Sequence, residues 1–120
     1  MNLETFFDFI DSSANEFSDE KMKILEDIKN KHGDEAVSVV ATSQLMFECF
    51  SNLMTGLSLS KEIPQRVLNG TDNALTDIGK VVYSLLSHHM CKTDEIKRDV
   101  SEASQKLIDI HTKFIQSKLS

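Results

Sequence analysis

The stretch Ser87-His88-His89-Met90-Cys91 concentrates more potential chemistry than any other five residues of the chain. Histidine, methionine and cysteine can all ligate soft or borderline metal ions. On a helix, however, the adjacent His88 and His89 point about 100° apart, so one ion does not readily take both. His88 and Cys91 share a face at a spacing of three, and His111 or Cys49 would have to complete a site from elsewhere. A plainer reading is favoured: His89 packs on an apolar helix face, and His88 faces solvent near a helix C-terminus, where the dipole favours a cation. A ligand- or metal-binding helical bundle using the His88, His89 and Cys91 region is kept as the alternative function, with His88, Cys91, His111 and Cys49 as its metal set, and no cofactor is expected.

Other chemistries find less support. A di-iron bundle needs Glu-x-x-His pairs, and no glutamate here has a histidine three residues later. There is no Walker-type loop, no Gly-x-Gly-x-x-Gly and no His-Glu-x-x-His. Cys49 and Cys91 fall within expected helices rather than on the strained turns that present nucleophiles, so catalysis is not expected. With no basic and apolar leader pattern at the N-terminus, the two cysteines read as reduced thiols in a cytoplasmic protein. Asn69-Gly70-Thr71 matches a glycosylation sequon but reads as a turn.

The elements that must position these residues are helical. The chain has 120 residues, 40% hydrophobic and 27% charged, with four glycines and one proline. That is enough for one domain with its own core and too little turn punctuation for many short strands. Apolar spacing predicts helices over about 3–16, 19–31, 35–55, 72–91 and 95–118, and a short helix within the 57–71 connection. The first two are close enough in phase to run together. Ser18, Asp34, Thr71, and Thr93 or Asp94 are the expected caps, with Gly33 and Gly56 as stops. The fold class is therefore an all-α single-domain bundle of four to five helices over residues 1–120.

Three elements carry specific expectations. In the fourth helix, Leu75, Ile78, Val82, Leu85 and His89 should face the core, widened by Val81 and Leu86. In the last, Ile96, Val100, Ala103, Leu107, Ile110 and Phe114 alternate spacings of four and three, a bundle seam. The third is apolar around most of its circumference, which makes it central. Its run from Ala36 to Leu59 raises the question of a membrane span, which the interspersed Ser, Thr, Gln and Asn residues argue against. Its one charge, Glu48, should lie at the solvent edge, or else be buried and paired with Lys80 or Arg66. Met46 and Met54 read as core filling in preference to an adaptable binding groove.

Charge is uneven. Residues 1–60 hold 11 acids and 4 bases, whereas residues 61–120 hold 8 and 9, for a net charge of −6. Such a balance repels nucleic acid and anionic membranes. In the first helix Leu3, Phe6, Phe7, Ile10, Ala14 and Phe17 form a core stripe, and Phe9 lies roughly 110° from it among acids. Phe9 with Glu4, Asp8, Asp11, Glu16, Asp19 and Glu20 is the expected partner-binding surface, suited to a basic protein face. The resulting expectation is a small regulator, adaptor, chaperone or inhibitor that acts through protein–protein contact. It should also form a homodimer, because the third helix is too apolar for a small bundle to cover.

Overall fold

The structure, a computed structural model, describes residues 3–119 and the side chains of all of these except 3, 5, 6, 9, 10, 14, 118 and 119. Five helices follow one another: α1 Leu3–Asn15, α2 Ser18–His32, α3 Asp34–Ser58, α4 Gln65–Met90 and α5 Asp94–Leu119. Among the described residues there is no strand, so the chain is an all-α bundle.

Each helix boundary has a local cause. Phe17 adopts φ 60°, ψ 22° and separates α1 from α2. A non-glycine residue in the left-handed region is uncommon, and the break it makes ends any continuous helix over 3–31. Helix α2 therefore begins at Ser18, with Phe17 rather than Ser18 in the capping position. Gly33, at φ 90°, ψ −172°, separates α2 from α3, and a side chain there would be strained. Its carbonyl accepts the first bond of α3, from Val37 at 3.3 Å, so Gly33 and not Asp34 is the cap. At α5 the Thr93 hydroxyl accepts from the Ile96 N–H at 3.1 Å, which settles the choice between Thr93 and Asp94.

Helices α3 and α4 are both longer than the turn residues suggest. Gly56 lies inside α3, which continues to Ser58. The expected 57–71 connection shrinks to 59–64, and α4 begins immediately after Pro64. Proline has no N–H to donate, so a helix start costs it nothing, and its carbonyl accepts from Val67 and Leu68 at 2.9 and 3.2 Å. Asn69 and Gly70 are helical. Gln65 donates to the Asn69 side chain at 2.9 Å, and the Thr71 hydroxyl donates to the Val67 carbonyl at 2.8 Å. Thr71 is thus an interior residue and not a cap, and a mid-helix glycine costs only about 1 kcal/mol.

The core lies between α2, the first half of α3 and α5. It contains Ile28, Ala36, Val39, Val40, Val100, Ala103 and Leu107, with Cys91 closing it at the end of α4. The α5 seam is buried from Val100 to Phe114. Helix α3 is central: it packs on α2, α4 and α5 and touches α1. No helix of the described residues is long and apolar enough to cross a membrane.

Helix α4 departs from the expected pattern. It packs on α3 and has no fully buried residue, leaving Ile78, Val81 and Leu85 exposed. Its apolar residues form two stripes, and only the one containing Leu75, Val82 and Leu86 is half-buried. The molecule measures 47 × 29 × 18 Å, and its 15.6 Å radius of gyration exceeds the ~13.6 Å of a compact chain this long.

Candidate functional site

A concave feature follows from how α4 is held. It rests on α3 but stands off from α5, which opens a groove of about 860 Å³ among the three helices. Met46, Phe47, Phe50 and Met54 line it from α3, Leu68, Leu75 and Tyr83 from α4, and Ile108 and Ile115 from α5. Gly79 of α4 faces the Met46 side chain across the groove wall, where a Cβ would make only an ordinary 3.9 Å contact with the Met46 methyl. Met46 and Met54 are therefore half-exposed groove residues, which corrects the expectation that they fill the core.

The polar groups along α3 make few demands on an occupant. The hydroxyls of Ser43, Thr55 and Ser58 donate to the carbonyls of Val39, Ser51 and Thr55 at 2.7, 2.9 and 2.8 Å. Bonded back into their own helix, they present mainly small apolar surface. Burial raises the Tyr83 pKa, so its hydroxyl stays protonated. Asp72 and Lys80 are the charged residues of the lining. From Ser43 to Ser58 the α3 wall runs about 22 Å at helical rise.

A second polar site lies where α1, α2, α3 and α5 meet. Lys21, almost fully buried, donates to the Glu48 carboxylate at 2.9 Å and to the Ser13 carbonyl at 3.1 Å. Gln44 adds a bond to the same Glu48 oxygen at 3.3 Å. Glu48 is thus half-buried and paired, but with Lys21 rather than Lys80 or Arg66. His111 Nδ1 lies 3.7 Å from Glu48. The His111 ring is buried between Phe47 and Phe114, and neither ring nitrogen has a hydrogen-bond partner.

Burial is the main reason that the His111 pKa falls below its ordinary 6.5; Glu48 pulls it upward and Lys21 pushes it down. The unfolded chain therefore binds a proton near pH 6.5 that the folded chain resists. Stability from this group should be full above about pH 6.5 and decline as pH falls toward the depressed folded value. Thermal melts between pH 8 and 5 check this. His111→Leu should flatten that decline and cost little or nothing at pH 7.5, since it removes two buried unpartnered nitrogens.

A third cluster joins the end of α2 to the start of α5. Asp99 Oδ2 lies 2.8 Å from Lys31 Nζ and 2.7 Å from His32 Nε2. Lys31 first, then His32, holds the Asp99 carboxyl well below the usual carboxylate range. With Glu95, His32 and Asp99 are the only three His, Cys, Asp or Glu ligand atoms brought within 4.8 Å of one another among the described residues. Lys31 and His32 of α2 both engage Asp99 of α5, so the cluster reads as a clamp between helices.

The residues singled out from sequence are dispersed. His88 and His89 are both exposed, with ring centroids 5.2 Å apart, so His89 does not pack in the core. Cys91 is buried among aliphatic side chains, Cys49 is exposed on α3, and His111 is buried against α3. These four do not form a ligand cluster. Glu4, Asp8, Asp11, Asp19 and Glu20 are exposed, and Glu16 is half-buried. The Phe9 side chain lies outside the described residues, as do those of Leu3, Phe6, Ile10 and Ala14 in the expected core stripe. Phe7 of that stripe is 56% exposed. No protein-family model, curated protein or solved structure matches the chain.

Proposed function

We propose that the protein is a cytoplasmic binding module without catalysis of its own, a regulator, adaptor, chaperone or inhibitor that takes an amphipathic helix of a partner protein into the α3–α4–α5 groove. The observation that carries this reading is the groove itself: a slot about four helical turns long, walled by three helices. Helix-in-groove recognition needs such a slot, read by apolar anchors at i, i+3, i+4 and i+7. The pliant side chains of Met46 and Met54 suit an adaptable fit. Self-satisfied hydroxyls on the α3 wall favour an apolar helix face over a polar small molecule. The exposed acids of α1 and α2 would steer a partner whose other face is basic and would repel nucleic acid.

The reading can be tested by selecting binders from a displayed library of 16-residue amphipathic helices. Binders with one apolar stripe should be enriched by the native protein. Thr76→Arg and Gln105→Arg place charge at exposed positions of the groove lining, so each should weaken binding at least tenfold while circular dichroism stays unchanged. An empty selection, or binders indifferent to both substitutions, would contradict the reading.

A further inference from the structure

The exposed stripe of α4 has the spacing of an interhelical seam. Val67, Thr71, Ala74, Ile78, Val81, Leu85 and His88 follow at alternating intervals of four and three, the repeat that keeps one face turned to a partner helix. All but Thr71 are exposed, Val81 by 59%. On α3, Leu45, Cys49 and Leu53 form a second exposed row at intervals of four, with Leu45 64% exposed.

The two rows lie on one face. On α3 the row is about 100° around from Met46, Phe50 and Met54, which turn toward α4. On α4 the stripe is about 90° around from Leu75, Val82 and Leu86, which turn toward α3. In an antiparallel hairpin these offsets carry both rows to the same side, away from α5 and the groove.

We infer that this outer face of the α3–α4 hairpin binds a second copy of the chain, α4 against α4 in antiparallel register. Two observations favour a second copy. First, the stripe is self-complementary about a two-fold axis between Gly79 and Lys80. In that register Ile78 meets the partner's Val81, Ala74 meets the partner's Leu85, and Thr71 meets the partner's His88. Ala74 thus sets a small residue against a large one, Ile78 and Val81 pack branched side chains at the centre, and Thr71 with His88 makes a polar pair on either side, beyond which Val67 lies opposite the partner's Lys92. Asp77 flanks the partner's Ser84, so no like charges are opposed.

Second, the area fits. Of the nine large hydrophobic residues exposed among the described residues, six (Leu45, Leu53, Val67, Ile78, Val81 and Leu85) belong to these two rows. Each is about half exposed, and with their neighbours they present an apolar face approaching the ~800 Å² that each partner buries in a stable interface of ordinary size. A two-fold pairing closes on itself and leaves both grooves open.

Sedimentation of the full chain at tens of micromolar should give about 27 kDa, twice the 13.5 kDa chain. Val81→Glu should return it to the single-chain mass with its helical dichroism intact, and Leu45→Glu should weaken association at least tenfold. Register is read by disulfide formation in a Cys49→Ser background. Ala74→Cys chains mixed with Leu85→Cys chains should cross-link to each other in preference to either alone. A monomer at 100 µM, or a dimer untouched by Val81→Glu, would overturn the proposal. A dimer lost in Val81→Glu but without the mixed cross-link would overturn the antiparallel register.

Discussion

Replacing Lys21 with methionine should lower stability by about 3 kcal/mol, most of it recovered when Glu48→Gln is added. Among the described residues the ammonium is the only cation within salt-bridge distance of Glu48 apart from a protonated His111, and both members of the pair lie largely out of solvent. Removing one partner strands the other, and that uncompensated charge, rather than the attraction lost, accounts for the cost. The Ser13 carbonyl of α1 also loses its lysine donor, which loosens the tie between α1 and α2. In a chain this size the change should lower the melting temperature by roughly 10–15 °C. The penalty should shrink at acid pH. Without Lys21, which depresses its pKa, His111 protonates more readily and places a cation 3.7 Å from Glu48. Melts of the single and double variants at pH 7.5 and 5.5 check both statements. Equal penalties at the two pH values would show that His111 is not coupled to the pair.

Leu107→Ala should cost about 3 kcal/mol, whereas Met22→Ala should change stability by less than about 0.5 kcal/mol. Both residues fall on apolar stripes of helical period, so the pattern alone ranks them alike. The structure separates them: Leu107 is 1% exposed in the core, and Met22 is 55% exposed on α2. Truncating Leu107 leaves a cavity among Val39, Val100 and their neighbours that the packed helices cannot fully close. Alanine at an exposed helical site loses little packing and gains helix propensity. Urea unfolding of the two variants, compared at constant m-value, measures the difference.

The contrast between these residues marks what the sequence discloses. The α5 seam was readable because its apolar residues occupy one narrow face, which leaves no choice about which side is buried. In α4 two apolar stripes lie side by side, and period alone does not say which one faces the molecule. The start of α4 was obscured for another reason. Asn69-Gly70-Thr71 has the composition of a turn, but side-chain bonds one helical turn apart hold it helical once Pro64 has begun the helix.

The candidate site was legible only in fragments. Glu48 stands out as the lone charge in an apolar run, yet its partner, Lys21, lies 27 residues away. His32 and Asp99 are separated by 67 residues and carry no local signal of each other. The groove depends on the distance between α4 and α5, a tertiary quantity that no spacing encodes. Met46 and Met54 hinted at it, but methionine on a central helix more often fills a core.

The chain carries its own reporters for the groove. Of its five methionines, Met46 and Met54 line the groove, whereas Met22 is exposed on α2. Methyl NMR of the methionine-labelled protein, titrated with an amphipathic helical peptide recovered by the selection, therefore reads occupancy directly. The account predicts shifts at Met46 and Met54 and none at Met22. Unmoved Met46 and Met54 signals on a protein that binds the peptide would contradict it.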